Sequence, residues 1–353
     1  RCMGMSLSNR AKRDWRIIGL VVAVAVPVSG VFSYVTAEQS RAALIQGLID
    51  GGFVGLAIAA YMRFGASHPR FKRMRFVTTI VVHSFAYVLL FLFARAVGQF
   101  LGEFLLSGGT LPAVTAEEVS DFFGGNFVAA LGLLFVLSLA INFVMEMNTL
   151  VGQSVLVSFL TGRYHRPRRE RRIFMFLDLA DSTRLAETLG NERFLELLRQ
   201  VFGDLTDAVL ETRGEIYKYV GDEVILSWRC DGDAAGWAQC FFMFIDALHA
   251  RENYYKQHFG GLPKFRAAVH AGEVIAGEIG EIRREIAYIG DVLNTTARLE
   301  ELAKTHSREL VASRDALDAS ALPSNIEAEE IGTHQLRGKE ADVDVFVVSR
   351  RRG

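Results

Sequence analysis

The stretch IFMFLDLADST, residues 173–183, has the pattern of a buried strand that ends on a carboxylate. Residues 173–179 are apolar except for Asp178. An ionised carboxylate at the end of a buried strand is costly unless a positive charge compensates it. The stretch therefore predicts one strand of a hydrophobic core and, at its end, a candidate functional position.

Alternating strands and helices follow this first strand. The helical pattern covers Asn191 to Glu211, Asp233 to His258, and a segment that opens at Gly290-Asp291 and ends near Leu302. Further strands are predicted at 215–220, 223–228, 265–270, 273–279, 326–336 and 343–348. The turns Gly221-Asp222 and Ala271-Gly272 make hairpins of the first two pairs. This order predicts an α+β sandwich, with helices packed on a largely antiparallel sheet.

The composition describes a chain of two unlike halves. The 353 residues carry 39 basic and 40 acidic side chains, and residues 1–162 hold only 12 and 8 of them. At about 150 residues per domain, this length predicts two domains. The second half has a soluble composition, and its mildly acidic balance argues for no nucleic-acid partner. Cys2, Cys230 and Cys240 have spacings that fit neither a disulfide framework nor a zinc site.

Four segments of the first half are long and apolar enough to cross a bilayer, whose core needs roughly 20 helical residues. They are Ile17–Val35, Ala42–Met62, Phe76–Ala94 and Phe127–Met145. We expect a four-helix transmembrane domain at residues 1–145, a helical connector with an Arg-rich juxtamembrane segment at 146–170, and a soluble domain at 171–353. A cleaved signal peptide is the alternative for the first segment, but its apolar run is too long.

Basic residues set the predicted orientation. They precede the first segment, fill the connection between the second and third, and follow the fourth, whereas the other two loops are poor in them. Because Lys- and Arg-rich flanks stay in the cytoplasm, both termini are expected inside, in a multi-pass protein of the inner cell membrane. The arginines at 163–172 either touch anionic headgroups of the lipid bilayer or simply fix this topology.

Polar side chains inside the predicted spans have two interpretations. Asp50, His83 and Asn142 lie within apolar segments, and Arg95 follows the third. They either form a site for an unknown small ligand or ion of the membrane bundle, or pair between helices for packing. Packing is the favoured interpretation.

Asp178 and Asp222 are the candidate metal ligands of the second half. One ends the strand at 173–179, and the other sits at the tip of the hairpin at 215–228. If these strands are neighbours, both carboxylates meet at one sheet edge, where they suit Mg²⁺ together with phosphate oxygens. On spacing alone, a helix cap and an ordinary Gly-Asp turn are the stronger explanations.

Three further polar side chains are candidate binding groups. Asn294 and Arg298 are four residues apart and share one helix face, where an amide and a guanidinium suit a sugar hydroxyl and a phosphate. Spacing alone favours the alternative, an exposed face on which Arg298 pairs with Glu301. Lys218 is expected to share a strand face with its apolar neighbours two positions away, which disfavours a purely solvent-facing role.

Together these residues resemble the class III nucleotidyl cyclases, the adenylyl and guanylyl cyclase family. Four motifs carry the resemblance in the family's order: FMFLDLADST at 174–183, KYVGDE at 218–223, HAGEVIAGEIG at 270–280 and GDVLNTTARLE at 290–300. Four motifs in one order are far more specific than any one of them. The resemblance implies a ferredoxin-like α+β catalytic domain, and the first half shares only the family's habit of tethering such domains to membrane spans.

The resemblance also implies catalytic roles. Asp178 and Asp222 match the two carboxylates that hold a pair of divalent cations, Mg²⁺ or Mn²⁺. Arg298 matches the arginine that stabilises charge at the α-phosphate, and Asn294 matches the asparagine that positions the ribose. The implied reaction is attack of the ribose 3′-oxygen on the α-phosphorus, with pyrophosphate leaving.

The remaining matched positions concern the base and the terminal phosphates. Lys218 matches the lysine that donates to adenine N1, so ATP is the expected substrate. Ala287 stands at the family's second base-reading position, usually Asp, Thr or Ser. Its side chain cannot accept from the adenine amino group, so a backbone carbonyl or water must do so, or base selection is looser. Lys339, with Arg337 beside it, is expected to bind the terminal phosphates; outside this family both would be a basic surface turn.

Family sites form between two domains, with the aspartates from one and the lysine, asparagine and arginine from the other. A chain with one copy of each motif is therefore expected to be a homodimer with two equivalent sites. The sequence thus predicts a membrane-anchored adenylyl cyclase. The alternatives are a guanylyl or dual-specificity cyclase, and a catalytically weak cyclase-like receptor or nucleotide-binding module, which the intact site residues disfavour.

Overall fold

The chain divides between Gln153 and Ser154 into two compact units, one helical and one α+β. The structure is a computed structural model. It describes residues 9–36, 41–61, 74–106, 127–151, 158–159, 161–230, 236–335 and 342–351.

The first unit consists of helices, as its hydropathy predicts. There is one for each predicted span: α1 (Asn9–Thr36), α2 (Arg41–Ala60), α3 (Phe76–Leu106) and α4 (Phe127–Val151). Two contain windows long and apolar enough to cross a membrane, Ala43–Ala60 and Phe76–Gly98, and α1 contains a shorter apolar stretch, Val22–Val35. Within the described residues two candidate spans are therefore supported, and four spans stay a prediction.

Polar side chains of this unit pair between helical segments. The hydrogen bonds are Tyr61 Oη with His83 Nδ1 at 2.7 Å, Asn142 Nδ2 to Ser84 Oγ at 3.3 Å, and Gln46 Nε2 to the Gly98 carbonyl at 3.0 Å. Gln46 also donates to Asp50 at 3.0 Å, and a Cβ on Gly98 would lie 2.5 Å from Asp50 Oδ1. These contacts favour packing over a ligand site for the polar residues of the spans.

The second unit is built on one eight-stranded sheet. Its strands are β1 (Arg168–Leu179), β2 (Glu215–Val220), β3 (Glu223–Arg229), β4 (Phe265–Ile279), β5 (Glu285–Ile289), β6 (Leu310–Ser313), β7 (Ile326–His334) and β8 (Val343–Arg350). The strand order is β2-β3-β1-β4-β6-β8-β7, and β5 pairs with β4. The β4–β6 pair is parallel and the other pairs are antiparallel. The predicted α+β class with a largely antiparallel sheet is confirmed.

Helices cover both faces of this sheet. They are α5 (Ser182–Leu189), α6 (Asn191–Glu211), α7 (Trp237–Ala250), α8 (Glu252–Phe259), α9 (Asp291–Thr305) and α10 (Arg314–Asp318). The main core joins Ile173, Met175 and Leu177 of β1 to α6, α7 and α8. On the opposite face, Phe174 of β1 lies in a smaller cluster with Val292 of α9. Since side chains alternate along a strand, the even-numbered residues of β1 point toward the α9 side.

The predicted hairpin at Ala271-Gly272 is wrong, because β4 runs through these residues as one strand. β1 pairs with β4 along its whole length, with Arg172 opposite Gly272. The chain turns instead between β4 and β5, where Gly280 adopts a left-handed φ of +89° that favours glycine. Pairing with a long neighbouring strand therefore overrides the local turn signal.

The prediction of one continuous helix at 233–258 is also wrong. It is divided at Arg251 into α7 and α8, and Asp233 lies outside the described residues. Residues 168–170, predicted in the connector, are the first residues of β1. The short elements α5, β5, β6 and α10 were not predicted.

A β-bulge changes the predicted face of Lys218. The pairing of β2 with β3 shifts between Ile216, opposite Leu226, and Lys218, opposite Ile225. Leu226 and Ile225 are consecutive, so their side chains point to opposite faces of the sheet. Ile216 and Lys218 therefore do not share a face, whereas Val220, opposite Glu223, does share the face of Lys218. Lys218 lies on the side where Ile225 packs with Phe174.

Candidate active site

Asp178 and Asp222 meet at one edge of the sheet. β1 and β3 are antiparallel neighbours, with Leu177 opposite Val224. Asp178 is the next residue of β1, and Asp222 precedes β3 in a turn where Gly221 has a φ of +66°. Their carboxyl groups are close enough for Asp222 to raise the pKa of Asp178.

Two further carboxylates and one ammonium complete this cluster. Lys304 Nζ, near the end of α9, lies 3.0 Å from Asp178 Oδ2 and 2.7 Å from Glu300 Oε1. Glu223, the first residue of β3, is close enough to feel the charges of Glu300, Asp178, Lys304 and Asp222. We call these five residues the carboxylate cluster; it holds four acidic side chains and one basic one.

Burial and neighbouring like charges raise the pKa values of three carboxyl groups in this cluster. Burial and then the charges of Glu300 and Asp178 raise the pKa of Glu223 to about 7. Burial is also the main cause that raises the pKa values of Asp178 and Glu300, against the opposing effect of Lys304. For Lys304 itself, hydrogen bonds to Glu300 and Asp178 raise the pKa although burial lowers it.

The donor set of this cluster fits a divalent cation. Glu223 Oε1 is buried and has no hydrogen-bond partner among the described residues. The Lys304 ammonium is a cation that already stands against Asp178 and Glu300. In the described part of the chain, no three His, Cys, Asp or Glu side chains are arranged to hold a metal ion by themselves. Mg²⁺ commonly takes one or two carboxylates and completes its shell with phosphate oxygens and water, which matches this arrangement.

Asn294 and Arg298 lie on α9, which is anchored by buried Leu299 and Ala303. Asn294 is exposed, and Nη1 of Arg298 is buried with no hydrogen-bond partner in the described residues. The structure describes Glu301 and records no ion pair between it and Arg298, so the predicted alternative is not observed. An unpaired guanidinium nitrogen is a ready donor to an anion.

The predicted residues lie at three places in the fold: Asp178 and Asp222 at the β1–β3 edge, Asn294 and Arg298 on α9, and Lys218 on β2. The structure describes Asp178, Asp222, Asn294 and Arg298, and records no hydrogen bond or ion pair between the first two and the last two. A separate contact lies at Lys218, whose Nζ is 3.0 Å from Glu285 Oε1 and 5.2 Å from the centre of the Tyr217 ring. The hydrogen bond to Glu285 is the main cause that raises the pKa of Lys218.

Ala287 is buried on β5 opposite Gly277. Lys339 and Arg337 lie outside the described residues. Sequence analysis missed Glu223, Glu285, Glu300 and Lys304 as site residues. The spacing of Glu300 and Lys304, four apart on one helix, was the available signal for an ion pair but not for its contact with Asp178.

The chain belongs to the family of adenylate and guanylate cyclase catalytic domains. The model of that family matches residues 166–349, just over half of the chain. Domains of this family bind a nucleotide substrate, use divalent metal ions and typically dimerise. The match covers all of the site residues named above.

Similar proteins support this assignment. Adenylate cyclase 2 of Rhizobium meliloti (strain 1021) is 40% identical over 201 residues, which are 56% of this chain and 55% of that protein. An uncharacterized protein of Mycobacterium tuberculosis (strain ATCC 25618 / H37Rv) is 29% identical over 204 residues, 55% of this chain and 35% of that protein. The matches thus span about half and about a third of these relatives.

The fold is similar to that of a bacterial light-regulated adenylyl cyclase of known structure. The TM-score is 0.53 at 19% sequence identity, and the match covers 63% of this chain and 65% of that chain. At this identity the likeness shows the fold alone.

Proposed function

We propose that this chain is a membrane-anchored adenylyl cyclase that converts ATP to 3′,5′-cyclic AMP and pyrophosphate. The observation that carries the proposal is the carboxylate cluster, where four acidic side chains face the single ammonium of Lys304. The 40% identity to a protein named adenylate cyclase 2 supports the activity and the choice of ATP.

Asp178 and Asp222 would hold two divalent cations, Mg²⁺ or Mn²⁺. When bound, such ions lower the pKa of the ribose 3′-hydroxyl and neutralise the triphosphate. Lys304 would leave Asp178 at that point, since its side chain is 44% exposed and sits on a flexible stem. Lys304 is thus assigned the role of counter-ion to Asp178 and Glu300 and no contact with the substrate.

The other site residues bind and orient the nucleotide. Arg298 stabilises the negative charge that develops at the α-phosphate as the 3′-oxygen attacks in line. Its unpaired buried nitrogen supports this role. Asn294 positions the ribose, Lys218 donates to adenine N1, and Lys339 with Arg337 binds the terminal phosphates.

The complete site would form between two copies of the chain. Asp178 and Asp222 come from one copy, and Lys218, Asn294 and Arg298 from the other. The single copy of each family motif in this chain supports this arrangement. A two-fold homodimer then contains two equivalent sites.

The helical unit would anchor the enzyme as four spans in the inner cell membrane, with both termini in the cytoplasm. Two helices support spanning by length and hydropathy, and the basic flanks support the orientation.

A second candidate is a guanylyl or dual-specificity cyclase. Ala287 favours it, because the side chain offers no acceptor to the amino group that distinguishes adenine. A nucleotide-binding module without turnover is the remaining alternative.

Cyclic nucleotide formation by the purified full-length protein tests the proposal. ATP or GTP is supplied with Mg²⁺ or Mn²⁺, and cyclic AMP is the expected main product. Formation of more cyclic GMP than cyclic AMP would identify GTP, and not ATP, as the preferred substrate. Nucleotide binding without either product, under all four combinations, would reject the enzyme in favour of a binding module.

A further inference from the structure

We propose that Glu285 is the second base-reading residue of this site. Its carboxylate accepts a hydrogen bond from the adenine 6-amino group while it holds the ammonium of Lys218 against N1. Glu285 would thereby take over the task that Ala287 cannot perform. This inference rests on the proposed cyclase function and names how that site selects its base.

Glu285 and Ala287 occupy the same face of β5. Side chains two residues apart in a strand point the same way and lie about 7 Å apart along it. Ala287 is only 7% exposed and carries a methyl group opposite Gly277. The longer Glu285 side chain, beside the turn that closes the β4–β5 hairpin, reaches Lys218 at 3.0 Å. The proposed acceptor, the Glu285 carboxylate, therefore lies two residues before Ala287 on β5 and on a longer side chain.

The Lys218–Glu285 pair keeps hydrogen-bonding capacity for a base. An ammonium has three N–H donors, and a carboxylate has about four acceptor positions. One mutual hydrogen bond leaves donors on Lys218 for adenine N1 and acceptors on Glu285 for the neighbouring amino group. Adenine presents this combination of acceptor and donor on its Watson–Crick edge. Guanine in the same orientation would place its N1–H against the ammonium and O6 against the carboxylate.

The exposure of the pair argues against a purely structural role. The Lys218 and Glu285 side chains are 40% and 35% exposed, and such solvated ion pairs contribute little to stability. Tyr217 beneath the ammonium limits its positions. Removing the Glu285 carboxylate should therefore leave the fold unchanged and alter only the discrimination between bases.

Paired substrates with and without the amino group test the inference. ATP is compared with purine riboside 5′-triphosphate, which carries hydrogen at C6, in the full-length protein. We expect wild type to favour ATP by about 10- to 100-fold in kcat/KM, as for a hydrogen bond to a charged group. Glu285→Ala should bring ATP down to the level of the analogue. Glu285→Gln keeps a carbonyl acceptor and should retain part of the preference.

Glu281→Ala is the matched control, because Glu281 is an exposed acidic residue of the same hairpin and should leave the ratio unchanged. A ratio in Glu285→Ala equal to that of wild type would overturn the inference. So would an equal fall for both nucleotides, which indicates that Glu285 only positions Lys218. The Kd values of the two nucleotides give the same ratio without turnover. Absence of cyclic products from wild type would thus refute the proposed function while the binding ratio still decides the role of Glu285.

Discussion

The buried part of strand β1, residues 172–179, carries Arg172 near one end and Asp178 near the other, on the same face. The surroundings of these two charges differ. Arg172 is 1% exposed. Its guanidinium donates to Glu170 and Glu215, each at 2.8 Å, and to Ser227 Oγ at 3.0 Å. Six residues further along, Asp178 lies among three more carboxylates and shares the ammonium of Lys304.

The different surroundings indicate a structural role for Arg172 and a metal-binding role for Asp178. Each guanidinium nitrogen of Arg172 has a hydrogen-bond partner, and ion pairing with Glu215 and Glu170 raises the pKa of the guanidinium despite its burial. At the Asp178 end burial and like charges raise the pKa of the carboxyls. The buried Arg172 is paired within the fold and has a structural role. The carboxylates around Asp178 exceed the nearby positive charge, which favours the binding of a cation.

The largest effect is expected at the uncompensated end. Asp178→Ala or Asp222→Ala should lower kcat by about 10³-fold or more, because loss of a metal-binding carboxylate removes several kcal/mol of transition-state stabilisation. The thermal midpoint of the metal-free protein should stay equal or rise, since one repelling carboxylate is gone. Near-normal turnover at saturating Mg²⁺ or Mn²⁺ would show that these residues are not the metal ligands.

Mixed dimers should recover much of that loss. Asp178→Ala and Arg298→Ala each damage both sites of a homodimer, but a heterodimer of the two has one site with all its residues intact. Activity should return to about half per heterodimer, and to about a quarter overall if chains pair at random.

The control for this experiment pairs Asp178→Ala with Asp222→Ala. One site then carries Asp178→Ala and the other carries Asp222→Ala, so neither site is intact and activity should stay low. Tag-purified Asp178→Ala/Arg298→Ala heterodimers as inactive as that control would contradict the shared site.

The compensated end should respond in stability. Arg172→Met leaves Glu170 and Glu215 without their buried partner and should lower the free energy of unfolding by about 3–5 kcal/mol. Urea titration of the purified protein measures this change. Arg169→Met is the matched control on the same strand, because its ion pair with Glu273 is exposed and should contribute less than about 1 kcal/mol. Equal losses of unfolding free energy in Arg172→Met and Arg169→Met would contradict the claim that the buried ion pairs of Arg172 stabilise the fold more than the exposed pair of Arg169.

A smaller, pH-dependent effect is expected at Glu223. Its folded pKa of about 7 lies above the ordinary value of 4.5, so the folded chain holds this proton more tightly than the unfolded one. Stability is therefore lost as pH rises from about 4.5 to 7. Glu223→Gln removes that loss. In EDTA, its free energy of unfolding should exceed that of wild type by up to about 3 kcal/mol at pH 8 and match it at pH 4. A difference of the same size at both pH values would exclude titration of Glu223 as the cause.

The parts that sequence predicted well depend on local patterns. The apolar run of β1, the Gly221-Asp222 turn and the start of α9 each have a clear signal within a few residues. The sequence left the pairing of β1 with β3 as a condition, and the structure supplies it and so brings Asp178 toward Asp222.

The parts that sequence missed depend on contacts between distant residues. Ala271-Gly272 looked like a turn, yet pairing with β1 keeps β4 extended there. Lys304 lies beyond the predicted end of its helix near Leu302, and its contact with Asp178 spans 126 positions of the chain. Glu285 likewise gains its significance only from a partner on β2. Such juxtapositions have no counterpart in local propensity.

The most direct test of the account is Mn²⁺ binding at the carboxylate cluster. Free Mn²⁺ is measured by electron paramagnetic resonance in the presence of 3′-deoxy-ATP, which has no 3′-hydroxyl to cyclise, for the full-length wild type, Asp178→Asn and Arg169→Met. The account predicts that wild type and Arg169→Met bind alike and that Asp178→Asn binds at least about tenfold more weakly, the loss of roughly 1.4 kcal/mol or more. Equal affinity of wild type and Asp178→Asn would contradict the claim that the uncompensated end of β1 is the metal site.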